Sequence, residues 1–150
     1  MNIRNAVKKD ITGIVSLGTR FVKEVPTWGQ LAITEDYINK LDLRLIWVVE
    51  ENDDLLGYAI CLPRENDGSC IYTKKDKILE LDEIYLIPEA RGKGIGAQIL
   101  QEIESNAKKE GYTKLFVYSS IKALDSVIEF YRANGFQTWA VQLFKEVVYN

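Results

Sequence analysis

The chain contains no histidine among its 150 residues. That absence removes a large part of enzyme chemistry: Ser–His–Asp and Cys–His hydrolases, two-histidine zinc sites and histidine general bases cannot be built here. Any proton transfer must fall to Asp, Glu, Tyr, Cys, Lys or water. Cysteine is scarce too. Cys61 and Cys70 are the only two; their spacing is not that of a C-x-x-C motif, and two thiols make a poor disulfide framework. Both read as reduced, structural thiols. No apolar run approaches the length of about 20 residues needed to span a bilayer. The N-terminus lacks the apolar stretch of a signal peptide, since Val7 is soon followed by Lys8, Lys9 and Asp10. A reducing, cytoplasmic setting is the expectation. A net charge of −3 argues against nonspecific nucleic-acid binding. No repeat, low-complexity stretch or Pro/Gly/Ser-rich linker divides the sequence. Residues 1–150 therefore read as a single domain, large enough for a full core.

Periodicity supplies the elements. Ile3 to Ala6 fits a short strand, and Asp10 to Lys23 a helix with Ile11, Ile14, Val15, Leu17 and Phe21 near one face. The run Val25-Pro26-Thr27-Trp28-Gly29 interrupts it, and Thr34-Glu35-Asp36 looks like the capped start of a second helix through Leu41. Leu45 to Glu50 and Leu55 to Leu62 read as strands joined by a turn at Asn52-Asp53-Asp54. Polar residues from Arg64 to Asp76 suggest a loop or a ragged strand extension. Ile78 to Ile87 is the next strand; strict alternation puts Leu79, Leu81, Glu83, Tyr85 and Ile87 on one side, with Ile78, Asp82, Ile84 and Leu86 on the other. Ile95, Ile99, Leu100, Ile103 and Ala107 form a helical stripe ending near Gly111. Thr113 to Ser119 is a strand, Leu124 to Tyr131 a helix closed by Asn134-Gly135, and Phe136 to Tyr149 a strand-rich end. The fold class is α/β: a mixed sheet flanked by helices, with a right-handed crossover joining parallel strands.

Between strand and helix lies Arg91-Gly92-Lys93-Gly94-Ile95-Gly96. Glycines let the backbone curl around a ligand. The following helix then aims free N–H groups and the positive end of its dipole into the curl. Arg91 and Lys93 add positive charge. This is the construction of a phosphate-binding loop. It is not a Walker A loop, because Lys93 is followed by Gly94 rather than Ser or Thr. Gly92, Gly94 and Ala97 match a loose dinucleotide fingerprint, yet the next strand ends in Tyr118-Ser119-Ser120 without the ribose-binding acid.

Arg91-x-x-Gly94-x-Gly96 after Leu86-Ile87-Pro88-Glu89 resembles the acetyl-CoA pyrophosphate loop of the GNAT superfamily of N-acetyltransferases. Phe130-Tyr131-Arg132-Ala133-Asn134-Gly135-Phe136 resembles the run that closes the last helix in that family. The two motifs stand in family order, and the element order matches along essentially the whole chain. The resemblance implies a mostly antiparallel sheet of about six to seven strands with about four helices, its central parallel pair splayed apart. Pantetheine would lie in that opening against the backbone of Leu86 and Ile87. The backbone of Arg91, Gly92, Lys93, Gly94, Ile95, Gly96 and Ala97 would hold the pyrophosphate.

The implied reaction is direct attack of a primary amine on the thioester of acetyl-CoA, with no metal. Tyr131, at the family's tyrosine position, is the expected general acid, and an N–H near Leu86 the donor to the thioester oxygen. The base would be Glu83 or Asp82; Glu83 ranks first because it shares a face with Tyr85. Where the family often carries an asparagine, this chain has Leu124, with Asp125 and Ser126 beside it, so Ser126 is the candidate replacement contact. Phe21, Glu24, Trp28, Asp36 and Tyr37 fall in the segment that usually shapes the acceptor pocket. The expected partner is a small-molecule or peptide amine, not nucleic acid or membrane, and a homodimer fits this reading. The competing function is a non-catalytic CoA-binding regulatory or interaction module; the presence of Tyr131 favours the enzyme.

Overall fold

The computed structural model describes residues 1–24, 26–69, 71–119, 122–143 and 145–147. Five strands, β1 (Asn2–Asn5), β2 (Ile46–Glu51), β3 (Asp54–Arg64), β4 (Ile78–Leu86) and β5 (Lys114–Val117), form one sheet in the order β1-β2-β3-β4-β5. The first four run antiparallel, and only β4 and β5 are parallel. Four α-helices accompany them: α1 (Ile11–Lys23), α2 (Glu35–Ile38), α3 (Ile95–Lys109) and α4 (Leu124–Ala133). No helix among the described residues is long and apolar enough to cross a membrane.

Local chemistry explains the joints. The β2–β3 hairpin turns on Asn52 and Asp53, both at positive φ (52° and 67°), the backbone a tight primed turn demands. Thr34 caps α2, its hydroxyl accepting the Tyr37 N–H. Side chains on one face of the sheet, among them Trp47, Ala59, Leu79 and Leu81, pack under Ile99, Leu100 and Ile103 of α3 and Tyr131 of α4. The other face buries Val48, Tyr58, Ile60 and Tyr85 beneath Ile14 and Leu17 of α1 and Ile38 of α2.

One charged side chain is buried among the described residues. Asp10 is 4 % exposed; it accepts two bonds from Arg4 (2.7 and 3.0 Å) and the Val7 N–H (2.8 Å). The Arg4 bonds lead in holding its carboxyl below the usual range, against the cost of burial. A depressed carboxylate stabilises the fold above its unfolded pKa, and that contribution is lost as pH falls through the folded value. Asp10→Ala is expected to cost about 2–3 kcal/mol, read by denaturant unfolding at pH 7, with a smaller difference from wild type in acid.

Several expectations need correction. The sheet has five strands among the described residues, not six to seven. Residues 136–143 and 145–147 form no strand, so among the described residues the parallel pair stands at the sheet's end and not at its centre. Alternation there gives Trp139, Val141 and Leu143 to solvent instead of to a sheet. The rest of that expected strand-rich end (Phe144, Val148, Tyr149) lies outside the described residues, as do Cys70, Val25 and Ser120. Helix α2 stops at Ile38 rather than Leu41, and β3 continues to Arg64.

Strict alternation along β4 is also overturned. Ile60 pairs with Glu83 but Cys61 pairs with Leu81, leaving Asp82 as an extra residue. This β-bulge flips the pattern. Leu79 and Leu81 now share the α3 face with Ile84 and Leu86, whereas Tyr85 turns to the α1 face and Ile87 packs against both cores.

Candidate active site

The site forms where β4 outruns β5. The parallel ladder covers only Ile78–Leu81 against Lys114–Val117, so beyond the bulge no strand among the described residues pairs with β4 on that side. The Ile87 N–H donates to the Leu56 carbonyl (2.9 Å) on β3. Antiparallel ladders alternate, so Leu86 and Ile84 turn their N–H and C=O groups the other way, to the open edge. The Leu86 carbonyl accepts the Arg91 Nε–H there at 2.8 Å. Ile87 presents its N–H to β3, and its carbonyl accepts the Ala90 N–H at 2.9 Å.

A single 3-10 turn, Pro88–Ala90, carries the chain to the glycine loop. Gly92 and Gly94 adopt φ of 71° and 76°, a region side chains avoid. An added Cβ at either would meet nothing within 4 Å, so space lies open above the loop. Gly94 is the N-cap of α3 and offers no side-chain cap, and the first turn holds no acidic residue. The first helical bond to the cap is Gln98 N–H to the Gly94 carbonyl (3.2 Å). The amides of Ile95, Gly96 and Ala97 thus point outward unanswered by the helix, the arrangement that attracts an anion. Gly96 has a separate reason to be glycine: a Cβ there would sit 3.1 Å from the Phe130 ring. That contact joins α3 to α4 and puts Tyr131, whose ring centroid lies 5.1 Å from that of Phe130 at a 59° tilt, one ring away from the loop.

Of the loop's two cations, Lys93 is exposed. Arg91 is not aimed into the curl. Its guanidinium donates twice to Glu24 (3.0 and 2.8 Å) and lies 5.5 Å over the Tyr85 ring. Tyr85 donates to the same Glu24 at 2.7 Å. Burial opposes ionisation of Glu24, yet the bonds from Tyr85 and Arg91 outweigh it and hold its carboxyl below the usual range.

The two candidate bases lie side by side at the bulge. Glu83 accepts the Tyr58 hydroxyl on one oxygen and Gln30 Nε2 on the other, the latter at 2.9 Å. Asp82 accepts the Tyr37 hydroxyl at 3.0 Å. Both carboxylates therefore meet tyrosines of the α1/α2 side, although strict alternation would have sent them to opposite faces. Burial leads in raising the Glu83 carboxyl above its ordinary value, and neighbouring Asp82 adds to this against the two hydrogen bonds. Burial, then Asp82, pushes the Tyr37 hydroxyl up to about 12.

Tyr131 stands on the opposite side of the sheet from these carboxylates, with Cys61 in the same core. Burial, with a smaller effect of Cys61, pushes its hydroxyl up to about 12, so it stays protonated at neutral pH. Burial likewise pushes the Cys61 thiol up to about 12, which makes it inert. The Ser126 hydroxyl donates to the Ala123 carbonyl at 3.0 Å and is spent on the start of α4. Trp28 lies 67 % exposed under the Lys122 ammonium, 5.1 Å from it. A cavity of about 1150 Å³ opens between α3, β5, α4 and the C-terminal segment. It includes Tyr131 and Phe116 but neither the glycine loop nor the bulge. No group of His, Cys, Asp or Glu able to hold a metal ion occurs among the described residues.

Sequence reasoning missed Tyr58 and Gln30. Tyr58 carried a signal: a phenol inside an apolar run that becomes a fully buried strand must find a polar partner. Gln30 carried none.

Residues 42–138 match the acetyltransferase (GNAT) domain. That is more than half of the chain, and the protein belongs to the GNAT family. An uncharacterized N-acetyltransferase of Methanocaldococcus jannaschii is 25% identical over 143 residues, covering 90% of this chain and 60% of that protein. An amino-acid acetyltransferase of Ralstonia nicotianae is 25% identical over 79% of this chain. The chain thus spans 60% and 23% of these relatives' lengths. A predicted acetyltransferase of Clostridium acetobutylicum, solved with acetyl-CoA, superposes with a TM-score of 0.73 at 25% identity, over 97% of this chain and 95% of its own. An aminoglycoside N-acetyltransferase in complex with CoA has the same fold, with a TM-score of 0.72 at 15% identity over 98% and 100% of the two chains.

Proposed function

We propose that residues 1–150 form one acetyltransferase domain that moves an acetyl group from acetyl-CoA to a primary amine of a small molecule or peptide. The observation that carries this reading is the junction of two backbone surfaces, the β4 edge at Ile84 and the Leu86 N–H, which no described strand pairs, and the uncapped start of α3. A diphosphate suits the second and an amide-bearing arm the first. The amides from Gly92 to Ala97 would hold the pyrophosphate, with Lys93 above them and Arg91 bracing the loop from the side. Bound there, acetyl-CoA supplies the activated acetyl group.

The rest falls to this chain's own side chains. An alkyl ammonium with a pKa of about 10 must lose a proton before it can attack. Glu83 takes that proton on a carboxylate oxygen, and its raised pKa brings it nearer to working pH, where a base is most effective. Asp82, bonded to Tyr37, adds negative charge beside the incoming cation. The Leu86 or Ile84 N–H donates to the carbonyl oxygen. Tyr131 Oη keeps its proton and delivers it to the departing sulfur. A non-catalytic CoA-binding module would need the loop but no half-buried carboxylate beside the open edge of β4, held by Tyr58 and Gln30. That feature favours the enzyme.

The test is a panel of primary amines assayed with acetyl-CoA for release of free thiol. Turnover with at least one amine is expected, and none across the panel would overturn the assignment. Tyr131→Phe should keep acetyl-CoA affinity, because the ring remains packed on Phe130 and Phe136, and should slow kcat by about 100-fold. Unchanged kcat would remove Tyr131 from the reaction.

A further inference from the structure

The carboxylate of Glu83 is held by groups from outside its own strand. One donor, the Tyr58 hydroxyl, comes from β3 and is fully buried. The other, Gln30 Nε2, comes from the irregular segment between α1 and α2. We propose that Tyr58 and Gln30 are positioning residues, a two-point clamp that fixes the Glu83 carboxylate on the α1/α2 face and keeps it ionised for proton transfer. This inference rests on Glu83 being the base.

Burial and the adjacent Asp82 both drive Glu83 toward its neutral form, and a neutral carboxyl cannot accept a proton from an ammonium. Among the described residues no cation pairs with it: Arg91 is paired with Glu24 and Arg20 with Glu89. From α2, Tyr37 donates to Asp82 instead, and on β4 Tyr85 donates to Glu24. The Tyr58 and Gln30 bonds are the counterweights that remain, one on each oxygen. Tyr58 is suited to this part because burial leads in raising its own pKa far above the usual phenol value; it holds its proton and donates without exchanging it. Gln30 brings in the acceptor side, since its backbone lies two residues from Trp28 in the segment that borders the bulge.

The test reads Glu83 directly, by carboxyl-carbon NMR titration of the full chain, with Glu83→Gln used to assign the signal. Each clamp bond stabilises the charged form, so its loss raises the Glu83 pKa. Tyr58→Phe should move the midpoint up by about one pH unit and Gln30→Leu by about half a unit. Acetyl-CoA affinity should be unchanged in both. Gln30 lies in a partly exposed segment, so its variant reads the clamp even if Tyr58→Phe loosens the core. Midpoints unmoved in both variants would overturn the clamp. A Glu83→Gln protein that releases thiol as fast as wild type would instead overturn the base assignment beneath it.

Discussion

Replacing Gly94 with leucine is expected to abolish acetyl-CoA binding while leaving the domain folded. Gly94 holds φ at 76° as the cap of α3, and a Cβ there meets no atom within 4 Å. The leucine would therefore not be rejected by the protein's own packing. It would stand in the space through which, in the proposed reading, a diphosphate reaches the amides of Ile95 to Ala97. Its backbone cost at positive φ is about 1–2 kcal/mol, too little to unfold a domain of this size. The affinity loss should reach about 100-fold or more, equivalent to about 2.7 kcal/mol. Calorimetric titration with acetyl-CoA checks the first part and thermal unfolding the second. Gly111 is the control. It has φ of 75° and equally open surroundings, at the far end of α3, so Gly111→Leu should carry the same strain with affinity intact.

Glu83→Gln should have the largest effect on turnover, lowering kcat by about 10²–10⁴-fold with little change in acetyl-CoA affinity. The wild-type rate should fall in acid as Glu83 protonates, with a midpoint above the ordinary glutamate value, and the variant should lose that limb. Stability should move the other way. Glu83 is raised in the folded protein, so folding binds its proton more tightly than the unfolded chain does. Its ionisation then costs stability as pH rises from the unfolded to the folded pKa. Removing the charge should leave the melting temperature at neutral pH equal to wild type or higher. A fall in melting temperature alongside lost activity would point to damaged structure instead of a missing base.

Much of the fold was legible because it rests on periodicity and on a few punctuating residues. The stripe of Ile95, Ile99 and Ile103, the turn at Asn52-Asp53 and the glycine loop each fix local backbone in a way that tertiary context does not override. The bulge at Asp82 was not legible. Alternating residues read the same with or without one extra residue, and only the pairing of Cys61 with Leu81 reveals it. That one residue decides which side chains flank the gap, so the face assignment of Glu83 relative to Leu79 and Leu81 came out reversed. Arg91 was misplaced for a similar reason. Its sequence position puts it at the loop, but Glu24, sixty-seven residues upstream, draws its guanidinium sideways. The C-terminal segment from Phe136 to Tyr149 reads as strand-rich, yet its Trp139, Val141 and Leu143 are exposed. Propensity for strand needs a partner edge to act on, and residues 136–143 do not pair with β5.

Chemical shifts of backbone amides, followed as unlabelled CoA is added to nitrogen-labelled protein, probe the cradle most directly. The largest changes are expected at Gly92 through Ala97 and at Ile84 and Leu86, with little at Gly111 or along β1. If those amides stay still while shifts gather around Phe116 and Trp139, the cofactor occupies the large cavity beside β5 and the mouth of α3 holds nothing.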